Sequence, residues 1–148
     1  MITDAFLSLS NAQAVTASAV STNVVDTALI GRDIGAGQDL YIHFSVDVAA
    51  VAAGAATVAF QIITSASPAM TSPVVLASTD AIGKAELTAG RRPISLQIPI
   101  HRIAPSNRYL AAQYVVATGP LASGTFTAVI SESRADAGKL YARGFSIV

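Results

Sequence analysis

His43 and His101 are the side chains of this sequence whose ordinary pKa lies near neutrality, so general acid–base or metal chemistry would begin with them. His43 belongs to the alternating stretch LYIHFSVDV and shares its polar side with Asp47. Two residues four apart on a strand are separated by about 13 Å at about 3.3 Å per residue, too far to hold one metal ion. A surface or interface position is therefore expected for His43. His101 precedes Arg102, whose charge disfavours both protonation of the ring and capture of a cation. The segment DIGAGQD (Asp33–Asp39) has the look of a calcium loop, but it offers two aspartates and no closing bidentate acid, so a glycine turn is expected. Gly83-Lys84 lacks the upstream glycine and following hydroxyl of a phosphate loop, and there is no nucleophile elbow or dinucleotide fingerprint. Without cysteine, disulfides, thiolate zinc sites, iron–sulfur clusters and cysteine nucleophiles are all excluded. The expectation is a protein with no catalytic residue, no metal and no cofactor, and not an enzyme.

The elements that would carry these residues are strands. Leu40, Ile42, Phe44, Val46 and Val48 alternate with Tyr41, His43, Ser45 and Asp47, placing the two sets on opposite faces. Ile94, Leu96, Ile98 and Ile100 repeat the pattern, as do Val58, Phe60 and Ile62, and Phe126, Ala128 and Ile130. Residues 108–118 are apolar on both faces, as a central strand would be. Weaker strands are expected at 14–20, 22–26, 74–79 and 140–148. Turn chemistry separates them at Gly35-Ala36-Gly37, Ser67-Pro68, Ser72-Pro73, Ala89-Gly90, Pro105-Ser106-Asn107 and Gly119-Pro120. Pro99 predicts an edge or a bulge for the strand that contains it. The alanine-rich run 49–56 contains Gly54 and no cap, and reads as a loop between strands. About eight short strands at this spacing predict an all-β protein, an antiparallel jelly roll or β-sandwich, in a single domain over residues 1–148.

Composition sets further limits. The 148 residues are 52% hydrophobic and 12% charged, about half the usual charged share, so disorder is excluded and the surface is underpolar. The most apolar stretch, 48–60, is thirteen residues long against the about 20 that a membrane span needs. No signal peptide is expected, because Asp4 is present and no Lys or Arg precedes Ala12–Ala14. Residues 1–83 carry six aspartates against Arg32 alone, while residues 84–148 carry eight Lys and Arg against three acids. The halves attract, within one fold or between subunits. With Arg91-Arg92 the longest basic run, nucleic-acid binding is not expected.

The two ends carry the candidate partner contacts. An N-terminal arm over residues 1–12 presents Ile2, Phe6, Leu7 and Leu9, and a closing strand over 139–148 presents Phe145. Apolar side chains of this size are costly to leave in water, at about 25 cal/mol per Å², so they pack on their own sheet or on a neighbour. Arg91 and Arg92, in a glycine-bounded loop, are candidates to engage acidic residues of a partner through paired hydrogen bonds. Tyr41, on the polar side of its strand, is the best platform for a sugar ring if the chain is instead a carbohydrate-binding jelly-roll module of a head or tail fibre.

Several strings in order along the chain carry a resemblance: MITDAFLSLSNAQAVTASAVSTNVVD at 1–26, RDIGAG at 32–37, LASTDAI at 76–82, LTAGRRPI at 87–94, RYLAAQY at 108–114, GPLASGTFT at 119–127, and the closing 141–148. They resemble the small capsid cement, or decoration, proteins of tailed bacteriophages, the type found in a Bordetella short-tailed phage included. The resemblance implies a jelly roll made in the bacterial host cytoplasm that binds the outer capsid surface of the virion. Its partners would be the major capsid protein and itself, as a homodimer or homotrimer, with no nucleic acid and no membrane involved. It would bridge capsid subunits against the pressure of packaged DNA.

Overall fold

The computed structural model describes residues 5–27, 38–91 and 94–132. Within them the chain forms ten strands: β1 (Ser8–Ala14), β2 (Ala19–Val20), β3 (Val25–Asp26), β4 (Tyr41–Val51), β5 (Thr57–Ser65), β6 (Val74–Ser78), β7 (Ile82–Gly83), β8 (Ile94–Gln97), β9 (Tyr109–Ala117) and β10 (Ser123–Ser131). Three-residue 3₁₀ turns at Ala5–Leu7, Lys84–Glu86 and Ile100–Arg102 are the helical elements among the described residues.

All pairings are antiparallel and make two sheets. The first has the order β1-β10-β4-β8; the second has the order β2-β9-β5-β6, with β3 extending β2 along β9 and β7 extending β6 along β5. The chain crosses between sheets from β1 to β2, β3 to β4, β4 to β5, β7 to β8, β8 to β9 and β9 to β10. That connectivity is the double Greek key of a jelly roll, which the alternation alone left open against other sandwiches.

The inward faces meet in one core. Phe44, Phe60, Tyr114 and Phe126 sit at its centre with ring centroids 5.1–6.1 Å apart, mostly tilted or edge-on, the arrangement favoured by the aromatic quadrupole. Burying each such ring contributes about 1.5–3 kcal/mol before entropy is counted. Tyr114 Oη would be an orphan there, and it shares a 2.5 Å hydrogen bond with Ser10 Oγ, tying β1 of one sheet to β9 of the other.

Four expectations are corrected. Val48 was placed inward by strict alternation but is 50% exposed. Phe126 pairs with Val46 and the adjacent Thr125 with Val48, so Asp47 bulges and Val48 turns outward; a second shift between Thr125–Val48 and Ser123–Val51 restores the phase, and Ala50 enters the core. The expected strand at 14–20 is instead the end of β1, a turn, and the short β2. The expected N-terminal arm through residue 12 is regular structure from Ser8 onward, since β1 pairs with β10. The alanine-rich loop is also shorter than expected, because β4 runs on to Val51. Pro99 behaves as its missing N–H requires: β8 stops at Gln97 and, among the described residues, is an edge strand.

Candidate functional site

The structure scatters the residues singled out by sequence and shows why each is where it is. Leu9 is fully buried and belongs to the protein's own core, and Leu7 packs against that core. Leu9 is therefore an intramolecular contact, because β1 docks on β10 and turns it inward, whereas Leu7 stays partly exposed. Phe6, one residue before, is 68% exposed on the 3₁₀ turn and remains a surface contact candidate. Ile2, Arg92 and Phe145, and the expected strand at 139–148, lie outside the described residues.

Arg91 is half-buried beside β4, in a stretch that follows the edge of the first sheet through Gly90 N–H to Val46 C=O and Ala50 N–H to Leu87 C=O. Its guanidinium pairs with Glu86 at 3.5 Å, and its Nη1 is buried without a hydrogen-bond partner. An acid of the same chain thus occupies part of the fork expected to meet an acid of a partner.

Of the surface or interface position expected for His43, the structure corrects the exposed surface alternative. The side chain points away from the core yet is only 5% exposed, with Nδ1 2.8 Å from Ser95 Oγ on β8 and its ring stacked on Tyr41 at 6.3 Å and 6°. One face of the Tyr41 ring is thereby taken up, which counts against a sugar platform. Register puts His43 opposite Ser95 in the β4–β8 ladder, a pairing that sequence spacing of 52 residues could not show. Among the described residues no group of three His, Cys, Asp or Glu side chains is placed to hold a metal ion.

A groove of about 720 Å³ opens where the β6 and β8 edges face each other. Leu76, Ile98 and Pro99 supply its apolar lining, and Asp39, Gln97 and Arg102 its polar lining. Three of the polar groups are engaged within the chain: Gln97 Nε2 donates to Asp39 at 2.9 Å and Arg102 Nη1 donates to the Leu76 carbonyl at 3.0 Å, while Gln38 and His101 also line the groove. No Phe, Tyr or Trp lines it among the described residues.

Among the described residues the opposed charge of the two halves is expressed in the pairing of Arg108 with Asp26. Arg108 on the approach to β9 grips Asp26 of β3 bidentately, with Nε donating to Oδ1 at 2.8 Å and Nη2 donating to Oδ2. The hydrogen bond to Asp26 is the main reason that the Arg108 pKa is raised. This pair ties the C-terminal basic half to the N-terminal acidic half across the sheet.

The outer face of the second sheet was not singled out by sequence. Val58, Phe60, Ile62, Ala112 and Tyr114 point into the core, so Thr57, Ala59, Gln61 and Ile63 of β5 and Tyr109, Ala111, Gln113, Val115 and Ala117 of β9 point outward. None of these is charged. The signal was present in the two-sided apolar character of 108–118, which was read only as a central strand.

Comparison with curated proteins gives no match. A protein-family model, Bbp16, matches residues 9–130, which is 122 of the 148 residues. The match begins in β1, ends in β10 and takes in every crossing between the sheets. The chain therefore belongs to the Bbp16 family, a family of phage proteins.

Proposed function

We propose that this chain is a virion structural protein, a capsid cement or decoration protein that sits on the outer surface of the icosahedral head and braces it by bridging subunits of the major capsid protein. The observation that carries the reading is the family match over the whole sandwich, from β1 to β10. Sequence strings that resemble phage cement proteins support it, and so does the chemistry of the surface: 18 charged residues in 148 suit a molecule whose surface is shared in use. The reading is non-enzymatic. His43 is buried with its Nδ1 on Ser95 of the neighbouring strand rather than set in an open cleft. Its partners are the major capsid protein and further copies of itself as a homodimer or homotrimer, without nucleic acid or membrane. Among the described residues no helix is long and apolar enough to cross a membrane.

Bracing needs no pocket, only a stiff body and repeated contacts. Two sheets locked by a common aromatic core are such a body, and an oligomer that engages several subunits at once gains avidity over each separate contact. The test is sedimentation of DNA-free expanded shells of the phage that encodes this chain, with the purified protein added. Saturable co-sedimentation at micromolar concentration and a raised shell melting temperature are expected. Protein of verified oligomeric mass that stays in the supernatant would overturn the reading.

A further inference from the structure

The open part of the outer face of the second sheet has the chemistry of a docking surface for a neutral partner. Three cross-strand rows compose it: Thr57 beside Ala117, Ala59 beside Val115, and Gln61 beside Gln113. These side chains are half-buried or exposed, and all are uncharged. Gly83 flanks the first row and Val20 and Ser78 the third, extending the neutral zone across the sheet. The next row, Ile63 beside Ala111, is already covered by Met70 from the β5–β6 loop, in a small cluster with Val20, Val24 and Tyr109. Asp26, beyond that cluster at the rim, is taken up by Arg108, and Asp80, exposed in the β6–β7 connection between Ser78 opposite Gln61 and Ile82 opposite Val58, borders the middle row at the β5 edge.

The patch is flat and stiff. β5 and β9 pair with each other over their full length, with β6 and β7 on the far edge of β5 and β2 and β3 on the far edge of β9 as far as Tyr114, so the backbone needs little ordering when a partner arrives. Small residues in the rows let another surface approach closely. Three rows across four strands cover about 300 Å² in plan, at about 3.3 Å per residue and about 4.8 Å per strand. A standard stable interface takes about 800 Å² from each partner, so two free copies would not hold together on this patch alone. A contact of this size is useful when an oligomer makes several of them together on a repeating lattice.

We propose that these three rows are the surface that lies against the capsid shell, on an uncharged patch of the coat subunits; the inference rests on the shell-binding reading above and names the face that performs it. Attachment through a charge-free face is insensitive to salt, since no exposed ion pairs are there to be screened.

Ala59→Arg places a long cation in the middle row, while Asn11→Arg places the same charge on an exposed position of β1 in the other sheet. Thermal melting and light scattering of both variants come first, to establish unchanged fold and mass. Wild-type protein is then expected to co-sediment with DNA-free shells equally at about 50 and about 500 mM salt. Ala59→Arg is expected to weaken this by at least about tenfold, because an unpaired charge would be buried, and Asn11→Arg to leave it unchanged. Equal binding by Ala59→Arg, or wild-type binding that falls steeply with salt, would overturn the docking face and leave shell binding intact. A lower oligomeric mass for Ala59→Arg would also overturn it, by assigning the face to contacts between copies. No wild-type binding at all would instead be the failure of the function proposed above.

Discussion

Tyr114 shows how one polar atom constrains an otherwise apolar centre. Burial pushes its phenol up to about 12, against the opposing effect of the hydrogen bond to Ser10. The folded state therefore favours the neutral phenol, whereas the unfolded chain ionises near pH 10. Its contribution to stability is complete below pH 10 and is lost as the pH rises from there through about 12. Tyr114→Phe removes that alkaline sensitivity and strands the Ser10 hydroxyl in the core. A cost of about 1–3 kcal/mol at neutral pH is expected in urea unfolding, and adding Ser10→Ala should recover part of it. A Tyr114→Phe protein whose stability still falls as steeply from pH 10 to 12 would show that another group governs that limb.

At the scale of the element, the strands depend on irregularities that keep the two sheets in phase. β1 has a bulge where Ser10 pairs with Ala128 and Gln13 with Phe126, and Ala12 sits in it at φ 45°. The bulge is held by the Ala12 N–H donating to Thr127 Oγ1 at 2.8 Å, and that hydroxyl donates in turn to Asp47 Oδ2 at 2.6 Å. Two bulges on strands either side of β10, at Ala12 and at Asp47, thus share one side chain. A left-handed conformation costs a residue with a Cβ about 1–2 kcal/mol, and glycine escapes that cost while losing more chain entropy. Ala12→Gly is expected to leave stability unchanged or raise it by up to about 1 kcal/mol, and Ala12→Val to lower it by about 1–2 kcal/mol, both read from thermal melts. A destabilised Ala12→Gly with an intact Ala12→Val would contradict the bulge. Edges are managed as well: the Thr22 hydroxyl and the Asn23 amide donate to the Leu9 and Ser8 carbonyls on the outer edge of β1, and Arg102 donates to the Leu76 carbonyl on β6.

The whole chain is formally neutral and, among the described residues, the β5 and β9 side chains on the outer face of the second sheet are uncharged; self-association follows from that balance. Formal net charge is zero and the isoelectric point is about 6.7, so long-range repulsion between copies is weakest near neutral pH. Light scattering is expected to return a mass of two or three times 15.1 kDa at micromolar concentration and neutral pH. A strictly monomeric protein under those conditions would remove the avidity on which small contacts depend. The bridging role would then need a larger contact than the three-row patch.

Alternation in the sequence was enough to determine the all-β class, the positions of β4, β5, β8, β9 and β10, and three of the four aromatic residues at the centre of the core, Phe44, Phe60 and Phe126. This follows because a half-buried strand must repeat every two residues. The same rule failed at Val48 and at the β1–β2 boundary, where a bulge or turn changes phase without leaving a local mark. Tertiary structure decided what depends on register across many residues: the jelly-roll crossings, the meeting of His43 with Ser95, and the enclosure of Leu9 by its own sheet. It also decided which side of the apolar 108–118 strand is covered. Side-chain type tells how a residue tolerates water, but the neighbouring strands decide whether water is there, and here they leave one face of β5 and β9 open and uncharged.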